Sequence, residues 1–225
     1  MPMPSRLSSL AALLALAGAL SACGPGPGGA ASRVNGSIHV AAGTPAGAAA
    51  TVNGSIVADD NAVLTTARTV NGGITIGRHA SAESLTTVNG PIALRAGARV
   101  AGGVTVVNGA IRLADGAKVS GTVANVSGAI TLNSAQVSGG ITTVDGNVSV
   151  LGQSQVEGGI AVKKPSGIFF QVSDAVPRIV IGPGAVVDGA LRFDHEVALY
   201  VSDQAKIGPV SGATPVTFSG ASPPG

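Results

Sequence analysis

The sequence predicts an all-β fold: a single-stranded parallel β-helix, or β-solenoid, triangular in section, with about 18 to 19 residues per coil. Three observations predict it. A VxGxI pattern returns at near-constant spacing, apolar residues recur every six positions within each unit, and large aromatics are scarce. With four Phe, one Tyr and no Trp in 225 residues, the chain lacks the side chains that fill a wide core. A tube one or two side chains across needs only Val, Ile, Leu and Ala.

The pattern reads VNGSI at 34–38 and 52–56, VNGGI at 70–74, VNGPI at 88–92 and VNGAI at 107–111, then VSGAI at 126–130 and VDGNV at 144–148. Successive copies start 18 or 19 residues apart. Self-similarity at a fixed period marks a repeat architecture whose units bury their apolar faces only by stacking. Inside the units Val70, Ile76, Ala82, Val88, Leu94, Val100 and Val106 form one six-residue series, and Ile74, Ala80, Thr86, Ile92, Ala98 and Val104 a second. Six residues per face and three faces per turn give one triangular coil, each face a short strand with alternate side chains inward. The nineteenth residue is placed in a corner, at Val106 and Val107.

Within VNGxI, the first Val and the Ile four later are read as filling the tube, and the Gly lets backbones approach closely. Asn35, Asn53, Asn71, Asn89 and Asn108 then stack at the strand spacing of about 4.8 Å and share amide hydrogen bonds as an internal structural ladder. The competing reading of this column is a row of ligands for metal or ice. Residues 33–162 make a regular β-helix of about seven coils. The stretch KKPSGIFFQVSDAVPR at 163–178 breaks the period, so 163–208 is expected to form one to two wider or distorted coils after an insertion. Phe169, Phe170, Phe193, Phe218 and Tyr200 all fall in this last quarter, which implies a bulkier interior or an end cap. The Pro/Gly-rich tail 209–225 supplies either that cap, with Phe218 as its plug, or an unstructured end.

Residues 1–22 read as an export signal: a basic region ending at Arg6, an apolar run at 7–20, then Ser21 and Ala22. That run is too short to span a bilayer as a helix. The ending LSAC resembles the lipobox of bacterial lipoproteins, which implies cleavage before Cys23 and acylation of its thiol, with a lipid anchor as the result. Cys23 is the single cysteine, so no intramolecular disulfide forms. Gly24 stands where, in that resemblance, an aspartate signals inner-membrane retention, which favours the outer membrane. Residues 23–32 are then the lipidated Cys and a flexible Gly/Pro tether.

The stretches VAGGV at 100–104, VSGTV at 119–123, VEGGI at 156–160 and VDGAL at 187–191 resemble the repeats of bactofilins, polymer-forming bacterial cytoskeletal proteins. That resemblance implies a right-handed triangular β-helix able to assemble end to end. The TVNGSI-type repeats at 51–92 resemble putative adhesin repeats of bacterial envelope proteins. The six-residue period also resembles the left-handed hexapeptide β-helix, so the residues alone leave the hand open. The export signal departs from the cytoplasmic bactofilins.

No catalytic, cofactor or metal site is expected. His39, His79 and His195 have no partner at metal-ligand spacing. Asp194 and Glu196 flank His195, but neighbours in a strand point to opposite faces, so the three do not converge. Asp59 and Asp60 read as a polar corner, the alternatives being a calcium turn or a glycosidase acid. Arg99 and Lys118 start an outward column continued by Gln136 and Gln155. Removing Arg6 with the signal leaves 12 basic side chains against 11 acidic ones; this balance, without aromatic platforms, excludes a nucleic-acid surface. The expectation is a structural envelope lipoprotein whose rod mediates self-assembly or scaffolding contacts. The alternative is a surface adhesin binding carbohydrate or protein, and a polysaccharide-cleaving enzyme is the remotest class. Expected partners are the membrane through lipid, further copies of the chain, and an envelope protein or polysaccharide.

Overall fold

A computed structural model describes residues 29–43, 45–164 and 176–223. Among these residues there is no helix, and the strands lie in three parallel sheets of ten, ten and nine strands. Each strand pairs with its equivalent one coil before and one coil after, which makes a β-solenoid of about ten turns. The first sheet runs from Ala31–Asn35 to Val210–Ser211, the second from Ile38–Val40 to Val216–Phe218, and the third from Pro45–Ala46 to Lys206–Ile207.

The first and second sheets each bury two columns of residues and the third buries one. In the second sheet Ile38, Ile56, Ile74, Ile92, Ile111 and Ile130 pair in register, all of them buried. Fully burying each such side chain contributes about 1.5–3 kcal/mol, so a stack of them is the main cohesive force. The third sheet is entered through an alanine column, Ala62, Ala80, Ala98, Ala117 and Ala135, each with no exposed surface. A methyl group is what this sharp corner holds.

The three faces are unequal, and this corrects the six-residue reading. One coil has strands of six, three and two residues at Thr66–Asn71, Ile74–Ile76 and Ser81–Ala82. Leu85 lies seven residues before Ile92, Ile92 six before Ala98, and Ala80 five before Leu85. On the first sheet the inward residues are therefore Leu85 and Thr87, while Thr86 and Val88 are only half-buried. The Val of each VNG sits on the outer side of its strand: Val52, Val70 and Val88 are half-buried and Val34 is exposed. The Ile four residues later does fill the tube.

The register also relocates the nineteenth residue. Val106 pairs with Thr87 and Asn108 with Asn89, so nothing is inserted at Val106 or Val107. The addition lies between Val100 and Val104, where three residues, Ala101 to Gly103, replace the two that join Ala82 to Leu85. The VxGxV units at 100–104, 119–123 and 156–160 are thus the corner between third and first sheets, whereas VNGxI is the corner between first and second.

Beyond the break, where wider or distorted coils were expected, the stack resumes in register. Ile160–Val162 closes the first sheet of its coil, and the chain rejoins the second sheet at Arg178–Ile181, with Ile179 paired to Val148. Val187 and Leu191 then continue the inner columns of Val156 and Ile160. The bulkier filling is Phe193, Leu199 and Phe218, all buried. Phe218 belongs to a paired strand, Val216–Phe218, with Thr217 against Val201. Phe169 and Phe170 lie outside the described residues.

Candidate functional site

The most ordered chemistry on the rod is its asparagine corner. Asn53, Asn71, Asn89 and Asn108 each donate from Nδ2 to Oδ1 of the preceding rung, at 2.9, 2.9, 3.1 and 3.2 Å. Asn35 is the first acceptor. All five are exposed, so the row is on the outside, where the sequence reading had placed it within the tube. The cause is strand alternation: Thr51 points in, Val52 out, and the chain has begun to turn at Asn53. The column continues as Ser127 paired with Asp145.

The buried polar column is a different one. Thr51, Thr69 and Thr87 face the interior and donate from Oγ1 to the carbonyls of Gly36, Gly54 and Gly72 at 3.0, 2.9 and 2.9 Å. Each bond ties a coil to the one before it, and each satisfies a hydroxyl that would otherwise be buried unpaired. Asn125 takes the same place two coils later, its Nδ2 reaching Gly109 O at 3.0 Å and Gly128 O at 3.1 Å. Sequence reasoning overlooked these residues; the signal was the Thr recurring directly before VNG at 51, 69 and 87.

Glycine is required where the asparagine corner stacks. A Cβ on Gly72 would meet Gly54 O at 2.0 Å, and one on Gly90 would meet Gly72 O at 2.2 Å. Those distances are far inside van der Waals contact, so the coils pack backbone on backbone here.

The other nominated residues do not converge. His39 Nε2 is 2.9 Å from Asp59 Oδ2, an exposed pair, and Asp60 Oδ1 accepts from Arg78 N at 2.7 Å. The two carboxylates therefore serve different coils. His79 turns a corner with φ of 56°. His195 has Nε2 2.9 Å from Val144 O and Nδ1 3.1 Å from Glu196 O, which engages both ring nitrogens in backbone contacts. Asp194 faces Lys163 instead, at 3.8 Å. Arg99, Lys118, Gln136 and Gln155 do form a continuous outward column, and Gln155 Nε2 donates to Asp188 Oδ2 at 3.2 Å.

Among the described residues no three His, Cys, Asp or Glu side chains gather to hold a metal ion. No helix there is long and apolar enough to cross a membrane. Cys23 and residues 1–22, read above as an export signal, lie outside the described residues. A scan against models of protein families, and searches of curated proteins and of solved structures, find no match to this chain.

Proposed function

We propose that the chain is a non-enzymatic structural lipoprotein of the bacterial envelope, a β-helical rod held to the outer membrane by acyl chains on Cys23. A single observation supports this most. Outward residues of one coil diverge over three faces, and the reactive groups at hand, among them Asp59, Asp60 and His195, are engaged in corner and backbone bonds. A rod of this kind offers rows and ends in place of a pocket, which suits scaffolding contacts with copies of itself or with another envelope component. Two or three acyl chains would anchor it stably, with residues 24–32 as the spacer.

The test has two parts. Cys23→Ser should move the protein from the membrane to the soluble fraction, and retention on membranes would overturn the anchor. Light scattering and electron microscopy of residues 33–225 should show assemblies growing with concentration; a monomer at every concentration would remove the self-assembling version. Protection of the rod from protease added to intact cells supports an inward scaffold. Ready cleavage would favour the adhesin reading.

A further inference from the structure

We propose that the Asn-Gly pairs of the asparagine corner are deamidation sites held in check by the stacking, and that Asn35 is the one that converts in the folded rod. Five such pairs occur, at 35–36, 53–54, 71–72, 89–90 and 108–109. The chemistry of the pair is general. The backbone nitrogen of the Gly attacks Cγ of the Asn, a new N–Cγ bond closes a succinimide ring, and the Cγ–NH2 bond breaks. Ammonia leaves, carrying the proton lost by the Gly nitrogen. Water then opens the ring at either carbonyl, giving aspartate or isoaspartate. Gly favours the reaction because no Cβ obstructs the approach, and this lability makes Asn a thermolabile residue.

Ring closure needs a Gly N–H free to lose its proton and an amide free to rotate onto it. The stack restrains both groups. Gly54, Gly72 and Gly90 donate their N–H to the carbonyls of Asn71, Asn89 and Asn108 at 3.0, 2.9 and 2.9 Å, and Gly109 donates to Ser127 at 3.1 Å. The amides of Asn53, Asn71, Asn89 and Asn108 are each fixed to the rung before. Reaction at these positions requires two neighbouring coils to separate.

Asn35 is held differently. Its strand, Ala31–Asn35, is exposed along its whole length and, among the described residues, is the edge of the first sheet, paired on one side only. Gly36 N–H does bond Asn53 O at 2.8 Å, but fraying of this single end coil releases it. Local opening of terminal elements costs close to nothing, while opening inside a stack approaches the stability of the whole. The edge position therefore sets the site.

The product is also best tolerated there. An aspartate at 35 still accepts from Asn53 Nδ2. At 53 or 71 the change would delete a donor and set a carboxylate against the amide oxygen of the preceding rung. The corner accommodates a carboxylate at Asp145, where the preceding rung is Ser127 and not an amide. Conversion thus stops at the first rung and leaves the ladder intact.

The experiment is peptide mapping by mass spectrometry of the purified full chain, aged in warm, mildly alkaline buffer with and without urea. In the folded protein Asn35 should gain the amide-to-acid mass shift and isoaspartate at least about tenfold faster than Asn53, Asn71, Asn89 or Asn108. In urea the five rates should converge. Equal rates in the folded protein, or conversion led by an interior rung, would overturn the proposal. So would interior rungs that stay as slow in urea as in the fold, because their protection would then not come from stacking.

Discussion

Gly72→Ala tests whether the coils are held at their spacing by backbone contact at the asparagine corner. The added Cβ would lie 2.0 Å from Gly54 O and 2.5 Å from Gly54 C, whereas ordinary contact begins near 3.4 Å. Both neighbours are main chain, so no side chain can swing aside, and the two coils must part by more than about 1 Å at the corner. Four of the bonds crossing that seam are Gly54 N to Asn71 O at 3.0 Å, Ile56 N to Gly73 O at 2.9 Å, Thr69 Oγ1 to Gly54 O at 2.9 Å and Asn71 Nδ2 to Asn53 Oδ1 at 2.9 Å. At about 0.5–1.5 kcal/mol net each, their loss amounts to about 2–6 kcal/mol. Hydrogen exchange measured peptide by peptide is the suitable assay, because solenoid stability is a sum of nearest-neighbour terms. Protection across residues 49–76 should fall about thirtyfold or more, since each 1.36 kcal/mol is a factor of ten, and residues 141–162 should be unchanged. Gly116→Ala serves as the comparison. Its Cβ would meet Gly97 N at an acceptable 3.7 Å, so the left-handed φ of +68° is the remaining penalty, about 1–2 kcal/mol. Equal effects of the two substitutions, or a loss of protection spread evenly along the rod, would refute the close-contact argument.

Ile92→Ala removes a fully buried member of the isoleucine column and should cost about 2–5 kcal/mol, read as a lower urea midpoint; a loss under 1 kcal/mol would mean that the column collapses to fill the space. Thr87→Val deletes the hydroxyl that bonds Gly72 O and should cost about 1 kcal/mol, whereas Thr143→Val should be neutral or stabilising, because the buried Thr143 hydroxyl bonds no protein group and Asn125 already donates to Gly128 O. Thermal melts that moved the same way for both threonines would contradict this distinction. Phe218→Ala should loosen only the last coils, seen as faster exchange at 198–218 with 84–119 unaffected.

The architecture was legible in the sequence because its cause is local and repeated: one buried Ile per coil, one Ala at the third-sheet entry, one Gly where backbones touch. A period is visible however each copy diverges. The phase on the first sheet was not legible, since TVNG alternates Thr in and Val out, and apolarity alone favours Val as the inward residue. Thr wins because a Gly carbonyl of the preceding coil lies within its reach, a partner that no single repeat reveals. The asparagine row was read as a ladder from its spacing, but its exposure depends on where the strand ends and the corner begins. The same limit hid the in-register return at Arg178, because the non-repeating sequence from 163 to 177 masks a period that the pairing of Ile179 with Val148 restores.

Two changes along the rod occur together. Up to Leu85 the third corner has two residues, and the inner columns are Ala49, Ala67 and Leu85 on the first sheet and Ala46, Leu64 and Ala82 on the third. From Val100 to Leu191 that corner has three residues, and the columns become Val104, Val123, Ile141 and Ile160 on the first sheet and Val100, Val119, Val137 and Val156 on the third. A mixture of Ala and Leu thus gives way to uniform Val and Ile, which fill the section evenly from coil to coil. The other inner column of the first sheet runs Thr51, Thr69, Thr87, Val106, Asn125, Thr143, Val162 and Phe193. Its Thr51, Thr69, Thr87 and Asn125 side chains each bond a Gly carbonyl of the coil before, and the column becomes apolar at Val162 and Phe193. The two families of repeat motif are therefore two corners of the same coil, VNGxI joining the first sheet to the second and VxGxV the third to the first, and only the latter lengthens between Leu85 and Val104.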